Sequence, residues 1–360
     1  MLAPALNAIR GLRREAATRH RTRSDRQDLV VGGMERPALR VNLIFHDNGA
    51  GLTADAMIVA SVLSTAGIQI TSSPYQAPPV WDRAAARAAR WSGRPRYDLN
   101  IFLEHVDHRW WPMARRSMLI PNQEWFYPEW TRRLRGFDRV LCKTQDGLRI
   151  FQSLGARAEF LGFTSEDRRL LPGPPREEGV LHIAGRSLRK GTVIVLQAWQ
   201  QHPEWPRLTV VQRPPQEGYP LWHPPLPNVT YHSHRLSDEE IRELQNRYWL
   251  HIRPSEAEGF GHPLAESMSC GAVVITTDAP PMNELVRPDR GILVPAHPTK
   301  PQGLVIRQEV EAPALEAAVV RALAMPASER EEMGGQGRAW WETNDQAFRS
   351  RLKAVVAGVG

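Results

Sequence analysis

Two short strings in this 360-residue chain hold residue types that could do chemistry. The first, GRSLRKG at 185–191, sets Arg186 and Lys190 between Gly185 and Gly191. A guanidinium can grip a phosphate in bidentate fashion, and an ammonium acts on it as a point charge. If the next residues open a helix, its first amides add donors at the same place. Such a loop would suit a diphosphate; the plainer alternative is a surface turn with solvated bases. The second string, SEAEGFGHPLAESMSCG at 255–271, carries Glu258 and, eight positions on, Glu266. An ionised carboxylate only accepts hydrogen bonds, and sugar hydroxyls donate them. Gly259 and Gly261 between the acids would let backbone amides approach a ligand closely. His262 and Pro263 suit a first helical turn, which puts Glu266 about one turn into a helix.

The elements around these strings predict where they sit. VLHIAGR at 180–186 reads as a strand entering the first string, and YWLHIRPS at 248–255 as a strand entering the second. HPLAESMSCG then reads as a helix closed by Gly271. Further strands are expected at LTVVQ, NVTYHSH, VVITT and GILVP. SDEEIRELQNR forms a helix opened by a capping box of Ser237 and Glu240. The same rhythm runs earlier, through LRVNLIFH, GIQITSS, YDLNIFLEH, SMLIPNQEW and DRVLCKT, with helices between. Near-continuous apolar strands alternating with helices imply parallel sheets covered on both faces, an α/β fold. A single core stops growing near ~250–300 residues, so two domains are expected. The division is a basic arm at 1–38, an N-terminal domain at 39–165, and a charged, Pro- and Gly-rich linker at 166–179. A C-terminal domain at 180–335 follows, with a helix at 336–360 that packs back on the first domain. In such sheets ligands sit outside the carboxyl ends of the strands.

Composition excludes several classes. The formal net charge is +7, and of 46 Lys+Arg only Lys143, Lys190, Lys300 and Lys353 are lysine. That excess fits either an Arg-rich composition or a surface that attracts anions. Cys142 and Cys270 are too few for a disulfide framework and lack zinc-site spacing. No run of about eighteen apolar residues occurs, and the arm has no apolar core of a secretory signal. The expected location is cytoplasmic, with peripheral contact through the arm at the inner membrane face as one option. The stretch at 120–139 combines Trp125, Phe126, Tyr127 and Trp130 with Arg132, Arg133 and Arg135. It would suit an acceptor bearing a phosphate or carboxylate, or it packs a helix. No nucleic-acid-binding motif is present, so no nucleic-acid partner is expected.

The segment from Gly179 to Pro295 resembles the C-terminal domain of retaining GT-B glycosyltransferases, most closely glycosyltransferase family four (glycosyl transferases group 1). GRSLRKG, then the run from Pro254 to Val286, then GILVP carry the likeness. The resemblance implies two Rossmann-like domains facing a central cleft and a hexose moved, with retention, from a nucleotide diphosphate sugar. It implies that Glu258 faces the donor sugar, Glu266 the ribose, and that Phe260, Gly261 and His262 offer loop amides. Arg186 and Lys190 match the pair that holds the diphosphate, with Gly185 beside them. In the first domain, Gly49 and Gly51 resemble the family's glycine loop loosely, because Ala50 separates them, and His105 falls where the family often keeps an active-site histidine. His46 and Asp47 could instead form a base and its orienting carboxylate, as in inverting enzymes. No cofactor beyond the nucleotide sugar and no metal is expected, and glycan, lipid-linked and small-molecule acceptors all fit. A non-catalytic nucleotide-sugar-binding or assembly protein is the alternative. The reading requires Arg186, Lys190 and Glu258 to close around one ligand.

Overall fold

The computed structural model describes residues 39–49 and 51–358. The basic arm, with its expected membrane contact, lies outside the described residues.

The first apolar run becomes β1 (Arg40–Phe45), whose four central residues are buried. A strand buried on both faces belongs inside a covered parallel sheet. Its partners are β2 (Gln69–Pro74), β3 (Tyr97–Leu103), β4 (Ala114–Ile120), β5 (Arg139–Cys142) and β6 (Ala158–Phe160). Their order is β2-β1-β3-β4-β5-β6, and every pairing is parallel. Helices α1 (Gly51–Ser64), α2 (Val80–Trp91) and α3 (Gln145–Ser153) connect them. Sequence reasoning did not anticipate α2. It buries only Ala86, so it lacks the apolar stripe that betrays a helix.

The second sheet joins β7 (Glu177–Gly185), β8 (Arg207–Gln212), β9 (Val229–His232), β10 (Tyr248–Arg253), β11 (Val273–Thr277) and β12 (Ile292–Val294). Its order is β12-β11-β10-β7-β8-β9, again all parallel. This is the Rossmann order, in which the chain reverses direction between the first and fourth strands. The connecting helices are α4 (Thr192–Gln201), α5 (Asp238–Arg247), α6 (His262–Ser269) and α7 (Met282–Leu285). The capping box on α5 forms as read, with Ser237 and Glu240 bonding reciprocally. An antiparallel hairpin, β13 (Ala296–Gln302) and β14 (Val305–Val310), follows β12, and α8 (Ala312–Leu323) comes after it. The sequence reading did not contain the hairpin, because its residues alternate with prolines and bury almost nothing.

The last helix, α9 (Ala327–Ala357), runs unbroken through the expected boundary at 335/336. Three glycines near that boundary would ordinarily weaken a helix. Here Gly334 permits close packing: a Cβ on it would stand 2.3 Å from the carbonyl oxygen of Gly271. Farther along, Trp341, Phe348, Leu352 and Val356 share a buried cluster with Val59, Val62 and Leu63 of α1 and Met268 of α6. One helix therefore packs on both domains. The segment read as a linker is also tied down. Buried Arg168 donates to Gln245 (2.9 Å) and pairs with Asp238 (2.8 Å).

Candidate active site

Each sheet has a switch point where consecutive connections leave in opposite directions. In the second sheet it lies between β7 and β10, whose following loops are the two strings singled out above. Their close approach is built into the backbone. Gly191 adopts φ +69°, and a Cβ there would meet the carbonyl oxygen of Pro254 at 2.5 Å. The Glu256 amide donates to the Arg189 carbonyl at 3.0 Å. The buried His182 imidazole anchors the start of α4. It donates from Nδ1 to the Ile252 carbonyl (2.9 Å) and meets the Thr192 hydroxyl at Nε2 (2.9 Å). Burial pushes its pKa down to about 3, so the ring is neutral and Nε2 accepts.

With the loops so placed, the Lys190 ammonium forms an ion pair with the Glu258 carboxylate, the two side chains being 19% and 10% exposed. Glu266 accepts a hydrogen bond from Gln245 at 3.0 Å. Between the two acids lies Arg253, the last residue of β10. Burial pulls its pKa down to about 10, against the opposing pull of Glu266 and then Glu258. Its Nη1 donates to the Ile183 carbonyl (2.7 Å), while Nε and Nη2 are buried without a partner. Arg186 is exposed on the β7–α4 loop. Burial, then the charges of Arg186 and Arg235, lower the pKa of Arg213, so three guanidinium groups share one neighbourhood. Gly185, at φ +60°, has nothing within 4 Å of where a Cβ would be. The Phe260 ring is core, packed 5.6 Å from the rings of Phe163 and His262. Only its backbone can therefore serve a ligand. Gly261, at φ +106°, starts α6.

The first sheet switches between β1 and β3. After β1, the Gly49 amide donates to Thr53 Oγ1 (2.9 Å) and Asp47 Oδ1 (3.2 Å). Gly49 and Gly51 both have open space where a Cβ would be. After β3, Glu104 takes φ +67°, a left-handed conformation that costs a non-glycine residue about 1–3 kcal/mol. Its Oε2 accepts from Asn122 at 2.7 Å, and burial pushes its carboxyl pKa up. His105 packs 4.5 Å from the Tyr75 ring and 5.5 Å from Trp130. Burial and then the nearby His46 lower its pKa, so the ring is neutral.

A buried polar chain joins the two switch points. Glu104 bonds Asn122, Asn122 Oδ1 accepts from Lys143 (2.7 Å), and Lys143 pairs with Asp55. Asp55 Oδ1 meets His262 Nε2 at 2.7 Å, so the His262 side chain is held by the N-terminal domain. Burial would raise the Asp55 pKa, but the Lys143 charge and the His262 contact outweigh it, and the net shift is downward. Gln123 Nε2 adds bonds to the carbonyls of Glu258 (3.3 Å) and Gly259 (3.2 Å).

Sequence reasoning missed Asp55, Asn122, Lys143, Arg213 and Arg253. Lys143, Arg213 and Arg253 end or follow a strand, so the strand-end rule applied to every strand would have found them. Asp55 had a fainter signal, a lone acid on a helix of otherwise apolar core residues. The aromatic stretch splits in two. Phe126 is core, 5.1 Å from Phe151, whereas Trp125 and Tyr127 are 46% and 49% exposed. Among the described residues no three His, Cys, Asp or Glu side chains converge as metal ligands would. No helix among them is long and apolar enough to cross a membrane.

Two parallel α/β sheets whose switch points face one another define the GT-B architecture. Comparison with known proteins agrees. Residues 166–340 match the family described as glycosyl transferases group 1. Among solved structures, sucrose-phosphate synthase from Thermosynechococcus elongatus is similar at TM-score 0.61 and 16% identity, covering 88% of this chain and 98% of that one. Anabaena HepE in complex with UDP-glucose gives TM-score 0.61 at 15% identity, over 89% of this chain and 100% of that one. An E. coli structure described as trehalose-6-phosphate bound with UDP-2-fluoro glucose gives TM-score 0.62 at 13% identity, over 89% and 98%. No curated protein sequence matches the chain significantly.

Proposed function

We propose that the protein is a retaining glycosyltransferase that moves a hexose from a nucleoside diphosphate sugar to a glycan, lipid or small-molecule acceptor. The observation that carries this reading is the Lys190–Glu258 contact at the switch point of a Rossmann-ordered sheet. It joins a phosphate-binding cation to a hydroxyl-binding carboxylate, the two groups a nucleotide sugar needs side by side. The solved structures with UDP-glucose and UDP-2-fluoro glucose support a donor of this class.

The roles follow from the chemistry. Glu258 accepts hydrogen bonds from the sugar hydroxyls, and Glu266 from the ribose hydroxyls. Lys190 and Arg186 bind the diphosphate. As the bond from the anomeric carbon to the phosphate oxygen breaks, negative charge grows on that oxygen. Fixed cations stabilise the developing charge more than the ground state, so they speed the step. The acceptor oxygen bonds to the anomeric carbon on the same face, and its proton passes to the leaving phosphate oxygen. The products are the glycoside and the nucleoside diphosphate. His105 stands at the facing strand end as a neutral contact for the sugar. With both cations present, we propose that no divalent ion is required.

The test is the rate of nucleoside diphosphate release from a panel of UDP-, GDP-, ADP- and dTDP-hexoses with mixed acceptors. Glu258→Gln and Lys190→Ala should each lower it by at least about 10²-fold, the scale of losing one transition-state donor. EDTA should leave it unchanged, and NMR should show that the product keeps the donor's anomeric configuration. Near-normal rates in either variant would contradict the reading.

A further inference from the structure

The hairpin and the aromatic loop enclose a cavity beside the donor loops. At the hairpin tip the Leu304 amide donates to the Gln123 carbonyl at 2.9 Å. A Cβ on Gly303 would lie 2.7 Å from the backbone of Gln123 and Glu124, so the tip rests directly on that segment. On its flank the Gln308 amide donates to the Glu256 carbonyl at 2.8 Å, and Arg307 pairs with Glu256 at 3.1 Å. The hairpin is thus fixed to the N-terminal domain at one point and to the loop carrying Glu258 at another. Between them lies a cavity of about 280 Å³, lined among others by Glu124, Trp125, Tyr127, Arg189, Lys300 and Arg307.

The lining shows what would fit. Glu124 Oε2, Arg189 Nη1 and Gln302 Oε1 are buried there without hydrogen-bond partners. The charge balance is positive. Arg189, Lys300 and Arg307 line it with one acid, Glu124, and Arg307 pairs with Glu256. Burial pushes the Glu124 pKa up to about 8, so its carboxyl is mostly neutral at pH 7 and can donate a hydrogen bond. Trp125 and Tyr127 offer aromatic faces, with the Arg189 guanidinium 5.2 Å above the Trp125 ring. The volume lies just below the usual range for small-molecule sites, about 300–1,000 Å³, and holds one ring rather than a chain. The cavity also adjoins the donor loops. A Cβ on Gly259 would meet Glu124 Oε2 at 2.8 Å, and Arg189 directly precedes Lys190.

We propose that this cavity is the acceptor subsite and that it takes a saccharide unit bearing an anionic group, either a phosphate or a carboxylate. The assignment rests on the transferase reading above. The aromatic faces take the ring, the cations take the anionic group, and the neutral Glu124 bonds a hydroxyl.

Calorimetry on the full chain, saturated with whichever of UDP, GDP, ADP and dTDP binds, tests this with four probes: glucose 6-phosphate, glucuronate, glucose and inorganic phosphate. At least one anionic sugar should bind ten or more times tighter than glucose, and tighter than inorganic phosphate. Preference for glucose 6-phosphate identifies the group as a phosphate, and preference for glucuronate as a carboxylate. Lys300→Glu and Trp125→Ala should each weaken that binding tenfold or more and leave nucleotide affinity unchanged. Equal binding of glucose, equal binding of inorganic phosphate, no binding of either anionic sugar, or full binding by both variants would each overturn the assignment. Nucleotide affinity, measured first on the same samples, tests the transferase reading separately.

Discussion

The two switch points bring charged groups together by different means. At the C-terminal one, the groups come from two short strings, and glycine backbones let the loops touch. There the Lys190–Glu258 pair remains partly open to solvent. At the N-terminal one, the groups come from four separate places in the chain, and the Asp55–Lys143 pair is 3% and 2% exposed. The contrast teaches that equal-looking ion pairs can have opposite purposes. An open pair can exchange partners with a ligand, whereas a sealed pair is part of the scaffold that holds the two domains at the cleft.

Removing one charge from each pair should separate these purposes. Asp55→Ala leaves the Lys143 ammonium buried and unpaired and should cost about 3–5 kcal/mol of stability, read by urea unfolding. Lys190→Ala should lower stability far less while reducing turnover by at least about 10²-fold. Equal stability losses in the two variants would break the comparison.

The pH dependence sharpens it. His182 has a folded pKa near 3 against about 6.5 unfolded, so its contribution is complete above pH 6.5 and is lost as the pH falls toward 3. His251 shifts in the same direction, chiefly through burial. Asp55 is depressed below the unfolded value of about 3.9, so its contribution holds above that pH and is lost as the pH falls through its lower folded value. The urea midpoint should therefore begin to fall below pH 6.5, on the imidazoles whose pKa burial depresses, and fall again below about pH 4. His182→Gln should flatten the first slope and leave the second.

Backbone contacts give smaller effects. Gly191→Ala puts a side chain at φ +69° and against Pro254, and should cost about 1–3 kcal/mol. It should also lower turnover, because it parts Lys190 from Glu258. Gly334→Ala should destabilise by about 1–3 kcal/mol despite its better helix propensity, since its Cβ would strike Gly271. Gly335→Ala, one residue on with open space around it, should stabilise by up to about 1 kcal/mol. Matching changes in these two variants would remove the packing explanation for the glycines in α9.

The sequence made one crevice far more legible than the other, for a physical reason. Lys190, Glu258 and Glu266 sit in strings where strand, glycine loop and helix follow one another, so local spacing implies their placement. Asp55 and Lys143 lie 88 positions apart in sequence, and nothing local links them. The sheets were readable because apolar strands alternate with helices throughout. The hairpin at 296–310 was not, because prolines interrupt its pattern and it has no buried face. Helix α2 escaped for a similar reason, having almost no core side.

The central claim is that Lys190 serves the diphosphate and Glu258 the sugar of one ligand. Titrating the best-binding nucleoside diphosphate, and then its hexose conjugate, into wild type, Lys190→Ala and Glu258→Gln tests it directly. Lys190→Ala should bind both ligands at least tenfold more weakly, whereas Glu258→Gln should bind the nucleotide almost normally and lose affinity only for the conjugate. Wild-type affinity of Lys190→Ala for the nucleotide, or of Glu258→Gln for the conjugate, would contradict the account.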